Sequence, residues 1–388
     1  MVSDQAVQKR VSTRAGRYVR QPTGYSAFIP APLPPTPPID VAGMLALLSK
    51  ADRALARLDG SVHNLPDPDL FVLMYMRKEA VLSSQIEGTQ SSLNDVLEAE
   101  ARMFDGERKD VGEVLNYIGA MHDGLQRLQT LPLSIRLIRE IHARLMRGVR
   151  GAERQPGEIR TSQNWIGPEG TLLGEALFVP PPPTHVMEAL GDLETFLHAE
   201  TPEIPALIKV GLAHAQFETI HPFLDGNGRV GRLLITFLLC EADILRLPVL
   251  YLSHHFRRHQ QTYYSRLQAV RDDGDWEAWL SFFLDGIAVV ANEATEVSRR
   301  IVDLREAHRN EIIRSFGRAA GGALRALEHL FRNPIVQVKD IQAVLDVTHT
   351  SANSLVANLQ QAEILREITG QRRNRRFAYE PYIQLFRD

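Results

Sequence analysis

The sequence predicts a mainly α-helical protein with a small β-hairpin flap and a C-terminal winged helix-turn-helix. Three observations lead there. Between residues 40 and 300, apolar residues recur at three- and four-residue steps, the spacing of one helix face, and no alternating strand series competes with them. Residues 157–183 interrupt that pattern with turn formers between two short β-prone patches. After about residue 317, three helical runs precede two strand-like runs, the order of a winged helix-turn-helix.

Residues 1–39 read as a basic, Pro-rich leader. Lys9, Arg10, Arg14, Arg17 and Arg20 are not followed by an apolar h-region, which excludes a secretory signal. Proline at 30, 32, 34, 35, 37 and 38 removes donors and restrains each preceding residue, so an extended segment docked on its own protein is expected over one offered to an SH3-like partner. Residues 40–110 form an N-terminal helical region. Met44, Leu45, Leu47, Leu48, Leu55 and Leu58 mark its first helix, closed by Gly60; Asp67 to Ile86 and Ser92 to Met103 mark the next two. A core over 111–300 continues with helical patterns at 111–129, 133–148, 184–199 and 205–219. The last unit, 318–388, has helices at 323–331, 338–345 and 351–362, then strands from Ile364 to Tyr379 around a Gly-Gln-Arg-Arg-Asn tip.

Composition narrows the class. At 44% hydrophobic and 23% charged residues, neither wholesale disorder nor a fibrous architecture fits. The longest near-pure apolar stretch, Leu233 to Cys240, is far short of the roughly 20 residues a membrane span needs, so no membrane partner is expected. Cys240 is the single cysteine and cannot form an intramolecular disulfide. A net charge of −3 argues against polyanion binding by the whole chain, while leaving room for a local basic patch. The reading is a soluble, cytoplasmic protein.

One stretch carries chemistry: His221-Pro-Phe-Leu-Asp-Gly-Asn-Gly-Arg-Val-Gly-Arg232. It lies between two helical patterns, so it is a short loop opening onto a helix N-terminus. Gly226 and Gly228 free the backbone to turn and to approach a ligand. N–H groups at a helix start form an anion cradle, and Arg229 and Arg232 add cationic forks for phosphate oxygens. Asp225 is the carboxylate within the loop, and one carboxylate plus substrate phosphates is a common way to hold Mg²⁺. His221 has the side chain suited to proton transfer near neutrality. Phe223 is an apolar pin. Singly, each feature is an ordinary cap or turn; together, within twelve residues, they describe a phosphate-handling site.

The stretch resembles the Fic family signature, His-Pro-Phe-x-Asp-Gly-Asn-Gly-Arg-x-x-Arg, at every specified position. The resemblance covers residues 40–290 and implies a Fic-type helical core that transfers AMP from ATP to a hydroxyl side chain of a target protein. It implies His221 as the base and Asp225 as the Mg²⁺ ligand. The phosphates fall to Gly226, Asn227, Gly228, Arg229, Val230, Gly231 and Arg232, and the flap at 160–180 aligns the target by strand-like pairing. A kinase-like branch, Doc, carries Lys where Gly228 stands, so this sequence resembles the AMP-transferring form. Tyr263 and Tyr264 lie in a region similar to the one bordering the adenine; only one of two helical neighbours can face it, and Tyr263 is assigned. His254, His255 and His259 read as a polar helix surface. Ser83-Ser-Gln-Ile-Glu-Gly88 resembles the family's inhibitory motif, Ser/Thr-x-x-x-Glu-Gly/Asn. It implies Ser83, Glu87 and Gly88 as inhibitory residues, with Glu87 paired to Arg232. The same inhibitory glutamate admits reverse chemistry, removal of AMP from a modified protein.

The expected partners are ATP with Mg²⁺, an unidentified target protein, the chain itself as target of self-modification, and a second copy in a homodimer. Arg372, Arg373, Arg375 and Arg376 at the wing suit DNA phosphates, and equally a protein contact or a solvated tip. From another function class, the alternative is a DNA-binding regulator whose Fic core senses nucleotide.

Overall fold

Helical periodicity over residues 40–300 builds a bundle around a central buried pair of helices. The computed structural model describes residues 14–63, 68–101, 109–168, 170–201 and 203–387. Strands β1 (Gly16–Arg20) and β2 (Ser26–Pro30) come first, followed by helices α1 (Val41–His63), α2 (Pro68–Ile86), α3 (Leu93–Ala101), α4 (Lys109–Leu128) and α5 (Ile135–Leu145). A long loop then leads to α6 (Pro183–His198), α7 (Ala206–Ile220), α8 (Asn227–Glu241), α9 (Ser253–Arg258), α10 (Gln260–Asp273) and α11 (Trp276–Ser315). The chain closes with α12 (Ala320–Arg332), β3 (Ile335–Gln337), α13 (Val338–Leu345), α14 (His349–Gln361), β4 (Arg366–Glu367), β5 (Arg376–Ala378) and α15 (Glu380–Gln384). Among the described residues no helix is long and apolar enough to cross a membrane.

Position follows from sequence. From Leu207 to Ile220 every residue of α7 except Lys209 is buried, and α8 is buried from Arg229 to Leu239. A helix apolar on all sides has no solvent face, so these two form the centre of the bundle. Amphipathic α1 lies along α11, burying Leu48, Leu55 and Leu58. Ser134 caps α5 by accepting from the Leu137 N–H, and Asp275 caps α11 by accepting from Ala278.

Several features depart from the sequence expectation. Gly60 does not end α1, which continues to His63; one glycine costs a helix about 1 kcal/mol, and burial of Leu58 and Val62 around it outweighs that. The flap over 157–183 is joined by a single antiparallel bridge, Ile166 to Phe178, around a one-turn 3₁₀ helix at Leu173–Glu175. Its prolines cannot donate to a longer ladder. Residues 16–30, part of the stretch read as a basic, Pro-rich leader, form the β1–β2 hairpin, with Gly16 opposite Pro30 and Arg20 opposite Ser26. The Phe28 N–H extends this sheet to the flap by donating to the Val179 carbonyl at 2.9 Å. The Pro-rich segment is docked on its own protein: Arg14 donates to the Pro37 and Pro38 carbonyls, and Gln216 to that of Ala31. Lys9, Arg10, Asp67 and Met103 lie outside the described residues.

In the C-terminal unit, α12, α13 and α14 pack beside a three-stranded antiparallel sheet of order β3-β5-β4. β3 is additional to the sequence reading, although Ile335 and Val336 after Pro334 are β-branched and buried.

Candidate active site

The centre is the joint between α7 and α8. At His221 the backbone turns left-handed (φ 49°, ψ 61°), a conformation costing on the order of 1–3 kcal/mol for a residue other than glycine. The surroundings hold it there. Arg160 Nε donates to the His221 carbonyl at 2.9 Å, and Asn164 Nδ2 donates to the carbonyls of His221 and Phe223. Asn227 grips Phe223 from both sides, Oδ1 accepting from its N–H and Nδ2 donating to its carbonyl, each at 2.8 Å. Phe223 is fully buried and stacks on His142 at 3.7 Å. That histidine accepts from the Gly157 N–H on Nδ1 and donates to the Asp225 carbonyl from Nε2.

His221 itself is tuned to be neutral. Burial, followed by the positive charges of Arg271 and Arg160, pushes its pKa down to about 3. Its Nδ1 lies 3.3 Å from the Glu218 carbonyl, an acceptor only, so Nδ1 carries the proton and Nε2 keeps a free lone pair. Behind it Glu218 is buried, with Oε1 unpartnered, and burial pushes that carboxyl up to about 7.

The α8 N-terminus faces the same space. Gly226 caps it with φ 78°, and the Asp225 carboxylate accepts from the Gly226 N–H at 2.6 Å. N–H groups in a first helical turn have no intrahelical acceptor and attract anions. Asp225 keeps 41% of its side chain exposed, so it can serve a hard cation that brings its own phosphate and water ligands. A Cβ at Gly228 would lie 2.2 Å from Glu87 Oε1, so any side chain there would displace the Glu87 carboxylate.

Glu87 follows directly on α2. Arg232 Nη2 donates to its Oε1 at 2.7 Å and to the Ser83 carbonyl at 3.0 Å, while Nε donates to Ser83 Oγ at 2.8 Å. Arg232 is 2% exposed and Glu87 32%, so the pair is sealed on the arginine's side and open on the carboxylate's. Burial alone would raise the Glu87 carboxyl; Arg232, with Arg229 behind it, holds it below its ordinary value. Gly88 turns the chain away with φ 93°.

Several expected phosphate contacts point elsewhere. The guanidinium of Arg229 is buried beneath α8, where Nη1 meets Glu113 Oε2 at 3.2 Å and Nη2 lies 3.6 Å from Asp225. Val230 is a core residue, and the Gly231 carbonyl is taken by His214 Nδ1 at 2.8 Å. The Asn227 side chain serves the loop, as described. Tyr263, 1% exposed, stacks on Phe256 and donates to His214 Nε2 at 2.9 Å; it is a core residue. Both tyrosines lie within electrostatic reach of Glu87 and Arg232, but Tyr264 is 45% exposed where Tyr263 is buried.

Sequence reasoning missed Arg160, Asn164, His142, Glu113 and Arg150. Glu113 on α4 joins three parts of the site, meeting Arg229, Arg150 Nε at 3.4 Å and Thr89 Oγ1 at 3.2 Å. Arg150 also reaches the Glu87 carbonyl. None stands in a recognisable motif.

Two stretches match known families: residues 45–126 match the Fic/DOC family N-terminal region and residues 132–239 the Fic/DOC family. The chain is 26% identical over 257 residues to a protein adenylyltransferase Fic of Drosophila willistoni, covering 61% of this chain and 47% of that one. It is 34% identical over 120 residues to protein adenylyltransferase fic-1 of Caenorhabditis elegans, covering 30% and 22%. The chain thus spans less than half the length of these curated relatives. A crystal structure of a Fic family protein from Desulfovibrio desulfuricans G20 shares the fold, with a TM-score of 0.58 over 90% of this chain and 98% of that one at 21% identity.

Proposed function

Since the chain belongs to the Fic/DOC family through residues 45–126 and 132–239, we propose that it transfers AMP from ATP to a hydroxyl side chain of a protein and that Glu87 restrains it. The observation that carries the reading is a neutral His221 fixed beside the open N-terminus of α8. Nε2 of His221 takes the proton of the acceptor hydroxyl as its oxygen attacks the α-phosphorus. The bond from that phosphorus to the bridging oxygen breaks, and pyrophosphate leaves. First-turn N–H groups of α8 hold phosphate oxygens throughout. Asp225 would hold Mg²⁺, whose charge would offset that developing on the leaving pyrophosphate.

Two contacts produce the restraint. Arg232 is occupied by Glu87 and Ser83 and cannot grip the end of the triphosphate. The Glu87 carboxylate also stands over Gly228, where a phosphate would otherwise approach the helix. Behind Arg232 the cavity it shares with Glu79 and Ser253 measures only about 10 Å³, room for one water, so an arginine released from Glu87 turns outward to the loop.

Incubation with ATP labelled on the α- or the γ-phosphate tests the chemistry. Label from the α-phosphate alone should stay on protein, and His221→Ala should lower its transfer by roughly 10²–10⁴-fold, the range for a general base, with ATP affinity little changed. Retention of γ-label would make the protein a kinase, and an undiminished rate in His221→Ala would remove the base.

A further inference from the structure

The C-terminal unit presents a second surface, independent of the transfer site. Residues 318–388 hold ten Lys and Arg against seven Asp and Glu, a positive segment in a chain of net charge −3. Four of those cations, Lys339, Arg372, Arg373 and Arg375, line one groove of about 370 Å³ with His349 and Asn353 of α14. The loop carrying the arginines is built: Glu367 accepts from the N–H groups of Thr369 and Gly370 at its base. Asn374 turns left-handed (φ 53°), and Arg375 donates to Asn353 on α14 at 3.1 Å with its guanidinium over Phe377.

Helix α14 forms a wall of the same groove through His349 and Asn353. Its thirteen residues contain no carboxylate, lysine or arginine, and its exposed positions are His349, Thr350, Ser351, Ser354, Ala357, Asn358 and Gln361, small or hydrogen-bonding side chains. Thr348 caps it by accepting from the Ser351 N–H. An acidic protein partner would call for positive charge along the helix itself. A neutral helix with donors and acceptors along its face, beside a loop of arginines, suits a groove of base edges bordered by phosphates. A helix about 10–12 Å across fits the roughly 12 Å major groove.

We infer that the C-terminal unit binds duplex DNA, with α14 in the major groove and the 370–375 loop and Lys339 on the flanking phosphates. Titration of the full chain against a labelled duplex of about 20 base pairs tests it between about 50 and 200 mM salt. With three to four phosphates neutralised, log affinity should fall with log salt at a slope of about −3 to −4. Arg372→Gln with Arg373→Gln should flatten that slope by about 2 and weaken binding tenfold or more at low salt. Ser354→Asp with Asn358→Asp, both on the exposed face of α14, should abolish binding while leaving the melting temperature unchanged. No binding at low salt overturns the inference, as does full binding by the aspartate variant. Stronger binding to polyglutamate than to the duplex would assign the groove to an acidic protein instead.

Discussion

Glu79 is a carboxyl that the fold makes harder to ionise. It is buried on α2, where Ser253 donates to it from its hydroxyl and its N–H and Tyr117 donates at 3.2 Å. Burial, only partly offset by those bonds, pushes its pKa up to about 7 from an ordinary 4.5. The sign follows from the folded form holding the proton more tightly than the unfolded one. Its stabilising contribution is complete below about pH 4.5 and is lost as the pH rises through about 7. Between pH 6 and 8 this amounts to about 1 kcal/mol. Glu79→Gln, which keeps the shape without the titration, should show a smaller fall in melting temperature from pH 6 to 8 than the wild type. An equal fall would leave Glu218, also raised to about 7, as the group responsible.

Helices α7 and α8 are central because they are buried on nearly every side, and the chemistry sits at the joint between them. That joint was legible in the sequence because its chemistry lies within twelve consecutive residues. Its supports were not. Arg160 acts 61 positions from His221, and Glu113 lies 116 positions from Arg229. Such pairings are decided by packing of distant elements and leave no local pattern. The β1–β2 hairpin was a different kind of miss, since Pro22 and Gly24 between two β-prone runs are a turn signal. Tyr263 shows the limit of periodicity, which says that two helical neighbours diverge but not which one faces the core. Tyr263→Phe leaves His214 Nε2 without its buried donor and should lower stability by about 1–3 kcal/mol without altering ATP affinity. Calorimetric titration and thermal melting separate those effects; weakened ATP binding at unchanged stability would return Tyr263 to the site.

Across the whole molecule, the contact between Glu87 and Arg232 depends on how α2 is held. Beyond the transfer site, Tyr75 of α2 meets Phe386 edge-on at 5.6 Å and stacks on Phe71. Arg77 spans Glu100 of α3 at 2.8 Å and the Arg332 carbonyl at the end of α12. The C-terminal unit therefore fixes the helix that delivers Ser83 and Glu87 to an arginine 145 positions away. The resemblance of two short motifs implied that meeting, and the geometry contains it at 2.7 Å. Its consequence for catalysis is the central claim, because misplacing a reacting centre by about 1 Å costs on the order of 10²-fold in rate. The direct measurement compares α-labelled ATP incorporation, with Mg²⁺, by the wild type, Glu87→Gly, and Glu87→Gly with Arg232→Ala. The account predicts a nearly silent wild type, a gain on the order of 10²-fold in Glu87→Gly, and loss of that gain when Arg232 is also removed. Equal incorporation by the wild type and Glu87→Gly, or a gain that survives Arg232→Ala, would contradict it.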